Sequence, residues 1–314
     1  MRILVTGASG FIGRAVVEAL VARGDEVRGL VRSAPDDLAG ITLIQASLED
    51  EVSLQQALEG VECVVHLAGR AHLLADSAAD PLAEFRAVNC EATLRLGKLA
   101  QEAGVKRFVF MSSIGVNGSY TNGQALSESS PVAPHADYAQ SKLEAEQGLR
   151  ALMESGPTDL VIIRPPLVYA AHAPGNFRRL LKLVATGAPL PFSLVHNQRS
   201  MVALENLVDF ILISTHHAQA ANQLYLVADE QSVSTREIVE YLAEGMSQRC
   251  TNLPVPPILL RWGLTALGKG ALYTQLCGSL VVSPNKAREL GWVPRLSAKD
   301  ALVAAGRRYR SVKR

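Results

Sequence analysis

The stretch that decides the fold is MRILVTGASGFIGRAVVEAL, residues 1–20. Its apolar run at residues 3–5 predicts a buried strand, and the pattern over residues 11–21 predicts a helix. Gly7 permits the tight turn between them, Gly10 lets backbone N–H groups approach a pyrophosphate, and Gly13 lets the helix pack closely on the strand. The helix N-terminus adds partial positive charge. The spacing therefore predicts a dinucleotide-binding loop made of Gly7, Ser9, Gly10, Phe11, Ile12 and Gly13.

The alternation of strand and helix patterns continues to about residue 165. Strands are expected at residues 26–31, 41–45, 63–67, 108–111 and 160–163, and helices at residues 54–58, 81–103 and 138–153. Because the runs at residues 3–5, 108–111 and 160–163 are continuously apolar, they are typical of a parallel sheet buried on both faces. We predict an α/β fold in which residues 1–165 form a Rossmann-type doubly wound sheet. Residues 166–314, with helical pieces at 177–184, 204–213 and 234–246, form a smaller α/β substrate domain, some segments of which return to the sheet.

The composition excludes several classes of function. The 314 residues carry 31 Lys and Arg against 30 Asp and Glu, and aromatic residues make up only 5%. This balance argues against a nucleic-acid partner and gives no bulk charge for binding an anionic membrane. No signal peptide is recognised at the start, and charges and prolines interrupt the most apolar late stretch, residues 253–273, so no membrane insertion is expected. The cysteines are dispersed, which is typical of reduced thiols, so we expect a cytoplasmic protein. Neither the cysteines nor the histidines have the spacing of metal ligands, so we expect no metal site.

The residues after the second strand bear on cofactor choice. A site for NAD(H) tends to place a carboxylate there, whereas a site for NADP(H) places an arginine near the 2′-phosphate. This chain has Arg32 directly after Leu30-Val31, and the first carboxylate is Asp36. Charge therefore favours NADP(H), with NAD(H) as the alternative in which Arg32 stacks on the adenine or faces solvent.

A candidate catalytic pair lies in the helix predicted at residues 138–153. Tyr138 and Lys142 are four positions apart, which places them on one helix face. A lysine close to a phenol favours the phenolate and lowers the tyrosine pKa toward the range of an acid/base catalyst. Ser112 and Ser113 support a catalytic interpretation of this pair, because they end the fifth strand at the sheet edge where α/β folds bind ligands.

Together with the glycine loop and Asn89, these residues resemble the extended short-chain dehydrogenase/reductase family, in particular its branch of UDP-glucose 4-epimerases and nucleotide-sugar reductases. The resemblance implies that Tyr138 is the acid/base and that Lys142 holds the nicotinamide ribose. It also implies that Ser113, with Ser112 as the fallback, orients the sugar oxygen. By the same resemblance, the cofactor contacts include Leu67, Ala68, Gly69, Arg32 and Pro165, and the substrate contacts are Asn89, Ser113, Asn176 and Arg199.

Two departures from the family pattern narrow the expected reaction. The segment Ser112-Ser113-Ile114 stands where 4,6-dehydratases carry Thr-Asp-Glu, which excludes that elimination. The Arg-x-Gly-Asp segment of the epimerases is absent, and residues 276–279 differ from it in character, so the nucleotide pocket is expected to be altered.

The favoured function is a 4-ketoreductase acting on a UDP-4-keto-6-deoxy-N-acetylhexosamine in surface-polysaccharide biosynthesis. The alternative is a 4-epimerase of UDP-glucose or UDP-N-acetylglucosamine with tightly bound NAD. A distant alternative is a non-catalytic dinucleotide-sensing regulator, which the presence of Ser113, Tyr138 and Lys142 disfavours. The family also implies a homodimer formed by the helices at residues 81–103 and 138–153. The carboxylates Glu144 and Glu146, which flank Lys142, are expected to face solvent.

Overall fold

The computed structural model describes residues 1–33, 38–71 and 80–311. Its centre is a seven-stranded sheet in which every neighbouring pair of strands is parallel, with the order β3-β2-β1-β4-β5-β6-β9. Strands β7 and β8 form a separate two-stranded parallel sheet. The strands are β1 (Arg2–Thr6), β2 (Glu26–Val31), β3 (Thr42–Gln45), β4 (Cys63–His66), β5 (Arg107–Met111), β6 (Asp159–Arg164), β7 (Leu167–Tyr169), β8 (Met201–Ala203) and β9 (Gln223–Leu226).

Helices surround the sheets and form the rest of the described structure. They are α1 (Phe11–Ala22), α2 (Glu51–Leu58), α3 (Pro81–Arg86), α4 (Ala92–Glu102), α5 (Asp137–Met153), α6 (Gly175–Ala185), α7 (Leu204–His216), α8 (Thr235–Gly245), α9 (Pro257–Ala266), α10 (Gly270–Cys277), α11 (Asn285–Glu289) and α12 (Ala298–Ser311). In the described part of the chain, no helix is long and apolar enough to cross a membrane.

The two faces of the large sheet are covered by different helices. In β5, Val109 and Met111 pack into a core with α1 and α7, whereas Phe108 and Phe110 pack into a second core with α2, α4 and α5. Alternating side chains of one strand therefore lie in opposite cores, and all residues of β4 and β5 are buried. This confirms the predicted doubly wound sheet, because helices cover both of its faces.

The single helix expected over residues 81–103 is interrupted. A π-helical turn, Ala87–Glu91, separates α3 from α4. The turn contains Asn89, whose buried amide is held by the loop after β4. One-turn π insertions are frequent at functional sites, because they re-aim a side chain without ending the helix.

Residues 166–314 contribute to both parts of the molecule. The chain leaves the large sheet after β6 and re-enters it at β9, while α7 packs on the same side as α1. A third core forms between β7, β8, α6, α8 and α12. Asp229 holds this region together, since its carboxylate accepts hydrogen bonds from Ala203 N, Asn206 Nδ2 and Tyr169 Oη. Burial raises the pKa of Asp229.

Candidate active site

The glycine loop is sterically closed to side chains at two positions. Gly7 has a φ of +67°, and a Cβ at this position would lie 2.9 Å from Ala68 N. A Cβ at Gly13 would overlap the carbonyl oxygen of Gly7. The loop backbone therefore packs against both its own helix and the segment after β4, which the three-glycine spacing anticipated.

The N-terminus of α1 is prepared for an anionic ligand. No side chain caps it at Gly10, and its first turn holds no acidic residue. The side chains of Asp50, Asp80 and Ser234 cap α2, α3 and α8, whereas α6 and α7, like α1, have no side-chain cap. Because the first N–H groups of a helix need acceptors, the uncapped end of α1 suits the pyrophosphate of a dinucleotide. The residues present thus fit the cofactor that the glycine spacing predicts.

The segment after β4 links this loop to Lys142. Leu67 and Ala68 are half-buried beside Gly7, and Gly69 is exposed. A Cβ at Gly69 would lie 3.0 Å from Asn89 Oδ1 and 3.4 Å from Lys142 Nζ. The structure thus brings the predicted cofactor residues and Lys142 to one edge of the sheet.

Arg32 follows β2 directly and is exposed, with its carbonyl accepting a 3.3 Å hydrogen bond from Gln45 Nε2. Its side chain is therefore accessible at the carboxyl end of β2, where an adenosine ribose would bind. Asp36 lies outside the described residues. The contact of Arg32 with a 2′-phosphate stays a prediction.

The two serines after β5 have different environments. Ser112 is only 2% exposed, and its hydroxyl donates to the Glu146 carboxylate. Ser113 is half-buried, and its Oγ accepts from Gly115 N at 3.1 Å, which caps a 3-10 turn. Since Ser112 is engaged inside the protein, Ser113 is the serine available to a ligand. The buried Pro165 holds this loop, because its carbonyl accepts from Ile114 N at 3.0 Å.

Tyr138 lies in the first turn of α5. It is half-buried, with its ring packed edge-on to Phe85 at a centroid distance of 6.1 Å. The first turn of α5 lies beside the serine loop, since a Cβ at Gly115 would be 3.3 Å from both Ala139 Cβ and Ser113 Oγ. Burial raises the pKa of Tyr138 to about 12. The phenol is therefore protonated at neutral pH.

Lys142 lies one helical turn further along α5 and is buried. Its Nζ donates to the Met111 carbonyl at 2.9 Å and lies 4.6 Å from the centre of the Phe110 ring. Burial lowers the pKa of Lys142 to about 8, an effect that the Glu146 charge opposes. The expectation that Lys142 lowers the pKa of Tyr138 is wrong for this structure, because the amine is bonded to the end of β5 and burial dominates the phenol.

The expectation that Glu146 faces solvent is also wrong. Its carboxylate is buried and accepts from Arg164 Nε at 2.8 Å, from Arg164 Nη2 and from Ser112 Oγ. Arg164 also donates to Asn117 Oδ1 at 2.9 Å. The sequence contains a signal for this burial, because Glu146 lies four positions after Lys142 on the apolar face that continues to Leu149 and Met153. Glu144 is on another face and pairs with Arg86.

A buried chain of hydrogen bonds, not anticipated from the sequence, passes through His66. Thr6 Oγ1 lies 2.7 Å from His66 Nδ1, and His66 Nε2 lies 2.8 Å from Thr93 Oγ1, which donates to the Asn89 carbonyl. Since the hydroxyl of Thr93 uses its proton on that carbonyl, Nε2 carries the ring proton and Thr6 donates to Nδ1. Burial, together with the charge of Lys142, lowers the pKa of His66 to about 3. This neutral imidazole connects the glycine loop to the π-helical turn.

Asn89 differs from its predicted role as a substrate contact. It has no exposed surface, and its Oδ1 accepts from Arg70 N at 2.8 Å while its Nδ2 donates to the Arg70 carbonyl and to Ser141 Oγ. With its amide engaged in this way, Asn89 positions the segment after β4 instead of binding a ligand directly.

The predicted substrate residues Asn176 and Arg199 both contact the segment around α10. Asn176 is exposed in the first turn of α6 and donates to Gln275 Oε1 at 3.0 Å. Arg199 is half-buried, and its Nη1 donates to the Gly278 carbonyl at 3.1 Å. Burial lowers the pKa of Arg199, as expected for a cation whose side chain is bonded to a carbonyl in place of a carboxylate. An anionic ligand would stabilise this charge.

Comparisons with known proteins agree with this geometry. The model of the NAD dependent epimerase/dehydratase family matches residues 3–228. A Vibrio cholerae protein named UDP-glucose 4-epimerase is 40% identical over 296 residues, which cover 93% of this chain and 90% of that protein.

A second relative and one solved structure extend the comparison. The relative, from Escherichia coli O157:H7, is named N-acetyl-alpha-D-glucosaminyl-diphospho-ditrans,octacis-undecaprenol 4-epimerase; it is 28% identical, with 81% of this chain and 75% of that protein covered. The structure is a short-chain dehydrogenase/reductase superfamily protein of Agrobacterium tumefaciens with bound NAD. It matches with a TM-score of 0.79 at 25% identity, covering 100% of this chain and 99% of that one.

Proposed function

The chain belongs to the NAD dependent epimerase/dehydratase family, and from this premise we propose that it is a 4-epimerase of a UDP-linked sugar. The observation that supports the proposal is the packing of the start of α5, which carries Tyr138 and Lys142, against the end of β5 and the turn of Ser113, beside an uncapped helix N-terminus. The 40% identical relative named UDP-glucose 4-epimerase supports the choice of reaction.

The proposed chemistry assigns one task to each side chain. Tyr138 exchanges a proton with the oxygen on C4 of the sugar. Its phenolate would accept the hydroxyl proton as the hydride leaves C4, and the resulting phenol, the form that burial favours, would return the proton to the 4-keto oxygen as the hydride comes back. The Ser113 hydroxyl holds that oxygen by a hydrogen bond. Lys142 places a positive charge near the nicotinamide ribose, and the Met111 carbonyl and Glu146 maintain its position and charge. The bound nicotinamide dinucleotide supplies the hydride acceptor and donor.

The second half of the chain is proposed to hold the UDP diphosphate. Arg199 is the half-buried cation for one phosphate, and Asn176 lies on the first turn of α6 for a further polar contact. Both are connected to the α10 segment, and Asn197 Nδ2 fixes its end by donating to the Gly278 carbonyl at 2.9 Å. This segment stands where the sequence departs from the epimerase pattern, so it is the proposed determinant of sugar choice.

A 4-ketoreductase is the second candidate, because it uses the same three side chains and because the exposed Arg32 suits the 2′-phosphate of NADPH. The comparisons do not separate the two reactions. The test has two parts. One sample of the purified protein is denatured and the released nucleotide is assayed. The native protein is incubated with UDP-glucose, UDP-N-acetylglucosamine and an undecaprenyl-diphosphate-linked N-acetylglucosamine, and, with added NADPH, with a UDP-4-keto-6-deoxy-N-acetylhexosamine. Bound NAD⁺ and a C4 epimer formed without added cofactor support the epimerase. Turnover only of a UDP-4-keto sugar with added NADPH supports the reductase, and no turnover of any of them contradicts both.

We also propose the homodimer that the family implies, formed by α3, α4 and α5. Light scattering gives the molar mass of the parent chain and of a variant with a substitution on the exposed face of α4, such as Lys98→Glu, and a lower mass in the variant supports this interface.

A further inference from the structure

Among the described residues, five of the thirteen exposed large apolar side chains lie in one short region, residues 253–267. Helix α9 has no buried residue, and Ile258, Leu259 and Trp262 are exposed by 51%, 54% and 69%. Leu253 and Leu267, on either side of the helix, are exposed by 44% and 70%. On the surfaces of proteins that work in water, contiguous apolar patches of this kind mark interaction sites.

The exposed side chains form one face. Positions 258, 262 and 266 are four residues apart, and position 259 is three residues before 262, so they lie along a single stripe of α9. Leu267 follows at the end of the helix and continues the stripe toward α10. A continuous apolar stripe with an indole in its middle is the arrangement expected of a helix that lies in a membrane interface.

Along residues 245–288, which include this face, the charged side chains have one sign. Between Glu244 and Glu289 the sequence contains five basic residues and no Asp or Glu, although the whole chain has a net charge of only +1. Arg261 lies within α9 and Lys269 precedes α10, and both are exposed. This local excess complements an anionic surface, and it opposes a two-fold contact with a second copy, which would bring like charges together.

We propose that α9 and the loop to α10 dock in the interface of an anionic lipid bilayer, with Ile258, Leu259, Trp262 and Leu267 facing the acyl chains. The docked face adjoins the candidate substrate site, because Gln275 and Gly278 of the following segment bond Asn176 and Arg199. Docking would therefore hold the substrate opening near the membrane surface. The inference concerns a peripheral contact and does not depend on which sugar reaction the site performs.

Flotation with vesicles tests the proposal, using vesicles of phosphatidylcholine alone and vesicles that contain about 30% phosphatidylglycerol. The full chain is expected to float with the anionic vesicles. The double variant Ile258→Ser/Trp262→Ser and the charge variant Arg261→Glu/Lys269→Glu are each expected to bind at least about tenfold more weakly. The matched control is Val52→Ser/Val293→Ser, which removes two apolar side chains of similar exposure, 66% and 70%, elsewhere on the surface and should float as the parent does.

Tryptophan fluorescence gives an independent readout. The chain has two tryptophans, and Trp292 is only 1% exposed, so a blue shift on adding anionic vesicles reports on Trp262. Circular dichroism checks that each variant is folded. The proposal is overturned if the parent does not float with anionic vesicles, or if the Ile258/Trp262 variant floats as well as the control. A dimer that this variant dissociates, together with no flotation, would assign the face to a second copy and would overturn it equally.

Discussion

Replacing Glu146 by glutamine should cost far more stability than its position near the middle of a helix suggests. The carboxylate and its partner Arg164 are 2% and 5% exposed, and three donors from Arg164 and Ser112 converge on it. Glu146→Gln keeps the shape but leaves the guanidinium buried without a counter-charge. Removing one partner of a buried pair costs about 3–5 kcal/mol of unfolding free energy.

The matched control is Glu144→Gln, two positions earlier on the same helix. Glu144 pairs with Arg86, whose side chain is 45% exposed, so this variant should lose about 0.2–1 kcal/mol. Urea unfolding followed by circular dichroism gives both values from the midpoint and slope. A second control, Glu146→Met/Arg164→Met, removes both charges and should recover stability relative to Glu146→Gln.

Glu146→Gln should also change the pH dependence of activity. The Glu146 charge raises the pKa of Lys142 against the lowering effect of burial, so its removal moves that pKa below about 8. The alkaline limb of the pH–rate profile should therefore move to lower pH in Glu146→Gln and stay in place in Glu144→Gln. Equal stability of these two variants, or a loss below about 1 kcal/mol in Glu146→Gln, would refute this reasoning.

Three further outcomes are expected. The pKa of His66 is about 3 in the folded chain and 6.5 in the unfolded chain, so below pH 6.5 the unfolded chain binds more protons and the free energy of unfolding decreases as the pH is lowered. Urea unfolding should show about 2 kcal/mol less stability at pH 5 than at pH 7 from this group. His66→Gln should remove that difference. Gly13→Ala should abolish dinucleotide binding in calorimetry or fail to fold, because its Cβ overlaps the Gly7 carbonyl, whereas Gly263→Ala, at a helical position with open space around the Cβ, should bind the dinucleotide as the parent does. Arg199→Gln should raise KM for a UDP-sugar about tenfold or more with little change in kcat; an unchanged KM would remove Arg199 from the phosphate site.

Much of the fold could be predicted because its signals are local. Continuous apolar runs such as residues 160–163 indicate strands buried on both faces, and the glycine spacing indicates the turn from β1 to α1. The pairing of Tyr138 with Lys142 follows from helical periodicity alone. Each of these inferences needs only residues within one or two turns of each other.

The features that sequence reasoning missed depend on distant partners. The π-helical turn is fixed by Asn89 bonding the Arg70 backbone, 19 positions away, and no periodicity encodes that contact. Glu146 is buried because Arg164 arrives from β6, and His66 is neutral because Thr6 and Thr93 enclose it. Charges and prolines interrupt residues 253–273 too often for a membrane span, but only the fold shows that α9 leaves its apolar face exposed.

The most direct test of the central claim is turnover of UDP-glucose and UDP-N-acetylglucosamine by the parent chain and by Tyr138→Phe, followed by NMR of the sugar. The account predicts that the parent forms the C4 epimer and that Tyr138→Phe loses at least about 10²-fold in kcat while it still binds the dinucleotide. Ser112→Ala, which removes the serine engaged with Glu146, should retain more activity than Ser113→Ala. Turnover by Tyr138→Phe equal to that of the parent would contradict the assignment of this side chain as the acid/base.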